Sequence, residues 1–142
     1  MVFGTTTNNA QIQTMHKYIV KTPRPMMVFA KKHFAGRQDL RGIEIGVEKA
    51  DKSLSILREL PIERLFLIDP YIPYEDALGH ADYSADYAIA HTKLAEYPQI
   101  VWWQKTSESA IREFQNEEAV DLVYIDGNHS YESVKKDCSI RK

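Results

Sequence analysis

A short apolar run that ends near a polar residue and is followed by a helix-like pattern recurs four times in this chain. Each run is too short for a helix and lacks strict alternation of apolar and polar residues, which is typical of strands buried on both faces. Parallel neighbours need crossover connections, and the helical patterns supply them. The sequence therefore predicts an α/β fold, a parallel sheet with helices on both faces. The predicted strands are Ile43–Val47, Leu65–Ile68, Ile100–Trp103 and Leu122–Ile125.

Residues that start or stop helices bound the helical patterns. Pro25 suits a first helical position, and Pro61 and Pro98 stop two later patterns. Residues 1–22 are polar and uneven, so we expect them to be poorly ordered. The acidic and aromatic segment Pro70–Asp82 is predicted to be a long loop over the sheet edge. The predicted helices cover Pro25 to about Phe34, Leu54–Leu60, Tyr83–Tyr97, Ala110–Phe114 and a stretch that begins near Tyr131.

Composition limits the classes of protein to consider. The 142 residues suit a single domain, 1–142, since domains take roughly 100–200 residues. A net charge of −2 gives no general attraction to nucleic acid or anionic lipid, so neither is an expected partner. The single cysteine, Cys138, excludes an internal disulfide and suits a reducing compartment. Because the apolar runs are short and the first residues lack a signal-peptide layout, we expect a cytoplasmic protein without a membrane partner.

Gly46 follows the first predicted strand, and ligands of open α/β sheets bind beyond the carboxyl ends of the strands. A missing side chain lets a ligand approach the backbone there. A dinucleotide fingerprint needs two more glycines, but the chain has Glu48 and Asp51, whose charges repel a pyrophosphate. An NAD-dependent oxidoreductase is therefore disfavoured, whereas a cationic ligand meets no such penalty. The alternative is an ordinary strand–helix turn whose carboxylates serve only the helix dipole.

Asp69 ends the second predicted strand, 23 residues after Gly46. In nucleotide-binding βαβ units an acidic residue about 20 residues after the glycines binds ribose hydroxyls. A carboxylate can accept from both hydroxyls, which favours this residue type. Tyr71 is placed to cover a base. The alternatives are an aspartate that only forms the turn before Pro70 and a tyrosine that only fills the sheet edge.

Two further candidate sites follow the third and fourth strands. After the third, Thr106 and Ser107 are placed to cap a helix, or Ser107 to contact a ligand. After the fourth, Asp126 and His129 stand where charge is costly unless it is used. Asp126 can bind a hard cation or orient a ligand amine, and His129 can act as a base. The alternative for this segment is a capped turn with a solvated histidine.

Three segments, taken in order, resemble class I S-adenosylmethionine-dependent methyltransferases, in particular the branch of sugar and macrolide O-methyltransferases. They are GIEIGVEKADKSLSILRELP, RLFLIDPY and VDLVYIDGNHSYESVKKD. The resemblance runs from about Gly42 to Asp137, and IDGNHSYESVKKD is its most specific part. It implies a Rossmann-like sheet whose strands lie in the order third, second, first, fourth.

The resemblance also implies which residues bind S-adenosylmethionine. Glu44 and Gly46 would line the methionine end of the cofactor. Asp69 would hold the ribose hydroxyls, Tyr71 would lie near the adenine, and Ser107 would lie at its far edge. The acidic character of this region is compatible with the sulfonium and the ammonium group of the cofactor, whereas it opposes a pyrophosphate.

The same resemblance assigns catalysis to the segment after the fourth strand. Asp126 would lie under the methyl group and contribute to cofactor binding, and His129 would lie near the acceptor. In metal-dependent relatives the aspartate that matches Asp126 binds a divalent ion, so a metal such as magnesium is an expected cofactor at Asp126. The two groups would favour the deprotonated acceptor.

Members of this family continue after the fourth strand with a fifth strand and a terminal pair, whereas this chain ends at Lys142. The resemblance therefore implies an incomplete fold of about four strands, the cofactor-binding portion of a methyltransferase that acts on a hydroxyl of a small molecule. The alternative is a non-catalytic nucleoside-binding module of the same fold. The strand Leu122–Ile125 is then an open edge without a lysine, proline or bulge, so we expect a homo-oligomer joined through it.

Overall fold

A computed structural model of the protein describes residues 24–73, 83–114, 119–127 and 131–138. Three sequence predictions therefore fall wholly or partly outside the described residues. They are the order of residues 1–22, most of the loop predicted for residues 70–82, and the position of His129.

Within the described residues, four parallel strands form one sheet in the order β3-β2-β1-β4. This confirms the predicted fold class and strand order. The strands are β1 (Leu40–Ile45), β2 (Ile62–Ile68), β3 (Ile100–Trp103) and β4 (Leu122–Ile125). The outer strands have the predicted bounds. β1 ends at Ile45, before the predicted Val47, because Gly46 turns to a φ of +83°. β2 begins at Ile62, three residues early, since exposed Glu63 and Arg64 hide the start of the strand from an apolarity pattern.

The described residues form five helices, of which the second, third and fourth connect the strands, the first precedes β1 and the last follows β4. They are α1 (Pro25–His33), α2 (Asp51–Glu59), α3 (Tyr83–Leu94), α4 (Ser107–Phe114) and α5 (Tyr131–Asp137). Pro25 occupies the first turn of α1, as predicted. The Thr106 hydroxyl accepts the Ser109 N–H at 3.3 Å, so Thr106 is the residue that caps α4. In the described parts of the chain, no helix has the length and apolarity needed to cross a membrane.

The core consists of two apolar clusters on opposite faces of the sheet, because successive strand residues point to opposite sides. Residues of α1, α2 and α3 pack on one face, and Ala110 and Phe114 of α4 pack on the other. Ile43 and Ile45 belong to the α4 face, so Glu44 between them points toward the face covered by α1, α2 and α3.

An apolar groove of about 360 Å³ lies beside β4, between α1 and α5, and is called the edge groove below. β4 pairs with β1, and in the described part of the chain no strand lies on its other side. The apolar residues that line the groove include Met26, Phe29, Ala30, Leu122, Val123 and Ile125.

Candidate functional site

The loop after β1, residues 46–50, turns through three left-handed backbone conformations. Gly46, Glu48 and Ala50 have φ values of +83°, +51° and +62°. A Cβ at Gly46 would lie 2.3 Å from the Asp126 carbonyl oxygen, so a side chain is excluded by the end of β4. The glycine is thus required by the close approach of the backbone at Asp126 and Gly127, a reason that the sequence pattern did not suggest. That it also lies against a cofactor stays a prediction.

Asp69, at the carboxyl end of β2, holds this loop in place. Its Oδ2 accepts the N–H groups of Val47 and Glu48 at 2.8 and 3.0 Å. Its Oδ1 accepts the Tyr71 N–H at 2.8 Å. A carboxylate has about four acceptor positions, so roughly one remains for a ligand, on Oδ1. The carboxylate thus has the turn-forming role that the sequence left open as an alternative. Accepting hydrogen bonds from both ribose hydroxyls would require one of the three N–H donors to leave the carboxylate.

Tyr71 packs back onto the same loop. Its backbone has a φ of +48°, and its hydroxyl donates to the Glu48 carbonyl at 2.9 Å. The ring is buried and meets the Tyr87 ring edge-to-face, with the centroids 5.0 Å apart. Burial, and then the charge of Asp69, raise the pKa of the Tyr71 phenol well above its ordinary value. The phenol therefore stays a neutral donor, and a contact of its ring with adenine remains a prediction.

Glu44 lies beneath the loop and is fully buried. Neither of its carboxylate oxygens has a hydrogen-bond partner among the described residues, and the same is true of the buried Ser53 hydroxyl. Burial raises the pKa of Glu44 to about 7, against the opposing effects of the Ser53 hydroxyl and the Lys52 ammonium. In this conformation the carboxyl has no surface that a ligand can touch, so a direct contact with the methionine end requires the loop to move.

Asp126 follows the last residue of β4 and forms an ion pair with Lys52, which projects from the first turn of α2. Both side chains are mostly buried, with 20% and 23% of their surface exposed. The Asp126 N–H donates to the Ile45 carbonyl at 2.8 Å, which fixes the end of β4 against the end of β1. Asp126, Lys52 and the Gly46 turn therefore meet at one point between β1 and β4.

The described residues contain no group of three His, Cys, Asp or Glu side chains that could hold a metal ion. The metal expected at Asp126 therefore lacks a ligand set in this part of the chain, and the Lys52 ammonium faces the same carboxylate. The described residues around Asp126 thus do not fit a divalent ion.

Ser107 begins α4, beyond the end of β3, and is half-buried. It is at the same end of the sheet as Asp69 and Asp126, but β2 separates β3 from β1. Of the six cofactor residues predicted, the structure thus brings Glu44, Gly46, Asp69, Tyr71 and Asp126 around one loop and places Ser107 farther along the edge. His129 lies outside the described residues.

Sequence reasoning missed Lys52, Ser53 and Lys93. Lys93 on α3 donates to the Lys49 carbonyl at 2.9 Å and pairs with Asp51 at 2.5 Å, so α3 holds the loop from its far side. A signal for Lys52 and Ser53 was available, because the first turn of a helix that follows a strand faces the same crevice as the strand end. Nothing local marks Lys93, which reaches the loop from 44 residues away.

The crevice between β1 and β4 lies where the direction of chain progress across the sheet reverses, since β2 and β3 extend to one side of β1 and β4 to the other. Open α/β sheets bind ligands at this kind of position. The groups around it are the loop after β1 with the Asp69 carboxylate bound to its amides, the buried Glu44 carboxyl group, whose pKa is raised to about 7, and the Asp126–Lys52 ion pair. Such a site suits a ligand with cationic and hydroxyl groups.

A family model described as a methyltransferase domain matches residues 43–140, from β1 to beyond α5. The match covers more than half of the chain. A search of curated proteins finds no match.

Proposed function

The chain belongs to the methyltransferase-domain family, and on that premise we propose that it binds S-adenosylmethionine in the crevice between β1 and β4. We further propose that the methyl group passes to a hydroxyl of a small molecule. The finer assignment to the sugar and macrolide branch rests on the sequence motifs alone.

The proposal rests on the observation that backbone amides of the loop after β1 already donate hydrogen bonds within the protein. Gly46 N–H donates to Ile68, Val47 and Glu48 donate to Asp69, and Ala50 donates to Val47. A dinucleotide pyrophosphate bound by this loop would need these loop donors, and they already donate within the protein. A nucleoside whose reactive end is a sulfonium needs none of them. The geometry therefore favours S-adenosylmethionine over NAD.

S-adenosylmethionine supplies an electrophilic methyl group on a sulfonium. In the transfer, the S–CH₃ bond breaks as an O–CH₃ bond forms, and the hydroxyl proton goes to a base. The Asp126 carboxylate stands at the end of β4 with 20% of its side-chain surface exposed, so it is the proposed proton acceptor, together with His129. The loop after β1, whose amides donate within the protein, would help to position the cofactor for attack.

The second candidate is a nucleoside-binding module without catalysis, and the ion pair of Asp126 with Lys52 favours it. A carboxylate that is already paired with an ammonium group is a weaker base. The two candidates differ in turnover but agree on binding. A module would bind S-adenosylhomocysteine without consuming S-adenosylmethionine in the presence of hydroxyl acceptors.

The experiment that tests the function is calorimetric titration of the 142-residue chain with S-adenosylhomocysteine, S-adenosylmethionine and NAD. We expect both methionine-derived nucleosides to bind and NAD to give no heat of binding. Binding of NAD with no response to either nucleoside would overturn the proposal.

A second copy of the chain is the proposed partner at β4. Asp126 N–H points to β1, and amides of a parallel ladder alternate in direction, so the amides of Val123 and Ile125 point to the open side. A two-fold antiparallel arrangement joins Val123 of each copy to Ile125 of the other.

The charges at the two ends of β4 are compatible with that arrangement. Asp121, before β4, pairs with Arg37 at 2.5 Å, and Asp126, after it, pairs with Lys52. Antiparallel pairing brings the Asp121 end of one copy to the Asp126 end of the other. Each carboxylate has its own cation there, so no uncompensated charge is buried.

A further inference from the structure

The peptide unit between Lys49 and Ala50 lies at the end of the loop after β1, directly before α2. Ala50 has a φ of +62°, a left-handed conformation that is unfavourable for a residue with a side chain. Its side chain is fully buried. A residue keeps such a conformation only where the surrounding contacts fix the backbone, so the contacts of this peptide unit decide the shape of the loop.

Two hydrogen bonds hold the peptide unit from opposite sides. The Ala50 N–H donates to the Val47 carbonyl at 2.9 Å. The Lys49 carbonyl accepts from the Lys93 ammonium group at 2.9 Å. A rotation of the peptide unit by about half a turn would bring the φ of Ala50 into the broad region that L-residues prefer, and it would break both bonds. Lys93 thus opposes the motion by which the loop would release its backbone strain.

Lys93 acts from a fixed position, because α3 is packed into the core on either side of it. Ala90 and Leu94 are buried in the cluster that α1, α2 and α3 form on the sheet. Lys93 also pairs with Asp51 at 2.5 Å, but the two side chains are 31% and 64% exposed, and an ion pair in that setting contributes little. The bond to the Lys49 carbonyl is therefore the contact through which Lys93 determines the shape of the loop.

We propose that Lys93 is a positioning residue, which holds the Lys49–Ala50 peptide unit in its orientation and so keeps the loop in the shape that binds a nucleoside. Without the ammonium group the peptide unit rotates, and the bond from the Ala50 N–H to Val47 is lost. The role in the shape of the loop stands on the two hydrogen bonds. The role in ligand affinity rests on the proposed function.

The shape of the loop is tested without any ligand, by the rate of hydrogen exchange of the Ala50 amide measured by NMR. Lys93→Met keeps the length of the side chain and removes its donors, so the Ala50 amide should exchange about tenfold faster than in the parent protein. Lys93→Arg keeps a donor and should retain most of the protection. The double variant Lys93→Met/Ala50→Gly should regain it as well, because glycine adopts a positive φ without steric cost.

The effect on ligand affinity is tested by titrating the same variants with S-adenosylhomocysteine. Lys93→Met should raise the dissociation constant about tenfold, and both Lys93→Arg and the double variant should return it to within about threefold of the parent value. Rescue by a glycine at position 50 is not expected of a lysine that contributes only a surface ion pair. Lys31→Met is the matched control, because Lys31 pairs with Glu59 on the surface at 3.6 Å, and it should change neither readout.

Three exchange results would overturn the proposal. They are a folded Lys93→Met whose Ala50 amide exchanges as in the parent, a loss of protection that Ala50→Gly does not restore, and a parent protein whose Ala50 amide exchanges as fast as in an unfolded chain. The last needs no variant to fold. Faster exchange in Lys93→Met with an unchanged dissociation constant would overturn the role in ligand binding. If the parent does not bind the nucleoside, the proposed function fails, and the exchange rates still decide what Lys93 does for the loop.

Discussion

The loop after β1 and the edge groove lie on the same sheet but differ in how their groups are used. Backbone amides of the loop donate hydrogen bonds within the protein, whereas apolar side chains of the groove are exposed. Four amides of the loop donate within the protein, and its carboxylate partner Asp69 accepts three of the described hydrogen bonds. In the groove, Phe29 is 68% exposed. A binding loop must be rigid before a ligand arrives, whereas an apolar edge left open calls for a second surface.

The largest expected effect is at Gly46. Gly46→Ala should destabilise the protein by more than about 4 kcal/mol or prevent folding, because its Cβ would meet the backbone of β4. Gly36→Ala is the matched control. Gly36 has a similar φ of +78° with nothing within 4 Å, so only about 1 kcal/mol of backbone strain is expected. Urea unfolding of both variants measures the difference in stability, and equal losses would show that the backbone after β4 does not exclude a side chain at position 46.

Gly46 illustrates which features of the fold and of the site could be predicted from the sequence and which could not. A glycine after a strand was visible, and so was the fold, since four apolar runs and their helices need no tertiary information. The reason for the glycine was not visible, because it lies 80 residues away in Asp126. The same holds for Asp69, whose turn and ligand roles look alike in sequence. Only the hydrogen bonds to Val47 and Glu48 show which role its carboxylate already has.

The second effect concerns the buried carboxyl group under the loop. The folded-state pKa of Glu44 is raised to about 7 from an ordinary 4.5, so the folded protein binds more protons than the unfolded chain between these values. Stability should therefore fall as the pH rises from about 4.5 to about 7, by about 3 kcal/mol from this group. Glu44→Gln should remove that part of the slope. Urea unfolding across this pH range is the measurement, and an unchanged slope in Glu44→Gln would contradict a buried, unpaired Glu44.

The third effect is the loss of the Asp69 carboxylate that accepts hydrogen bonds from the loop after β1. Asp69→Ala should weaken binding of S-adenosylhomocysteine by about 1–3 kcal/mol, because the amides of Val47 and Glu48 lose their acceptor and the loop loses its shape. Asp121→Ala, which removes a carboxylate held by Arg41 and Arg37 at the other end of β4, is the control and should leave the affinity unchanged. Calorimetry with circular dichroism as a check on folding makes the comparison. Intact affinity in a folded Asp69→Ala would show that the crevice does not depend on this loop.

The smallest expected effect is a change in dimer affinity at the edge groove. If two copies pair through β4, Phe29→Glu should weaken the dimer about tenfold, since each copy then places a carboxylate in the apolar groove of the pair. Ile89→Glu is the matched control, an exposed apolar residue on α3 that does not line the groove and is 40% exposed. Light scattering over a micromolar dilution series measures both. A parent protein that stays monomeric, or equal effects of the two variants, would show that the open amides of Val123 and Ile125 do not receive a second copy.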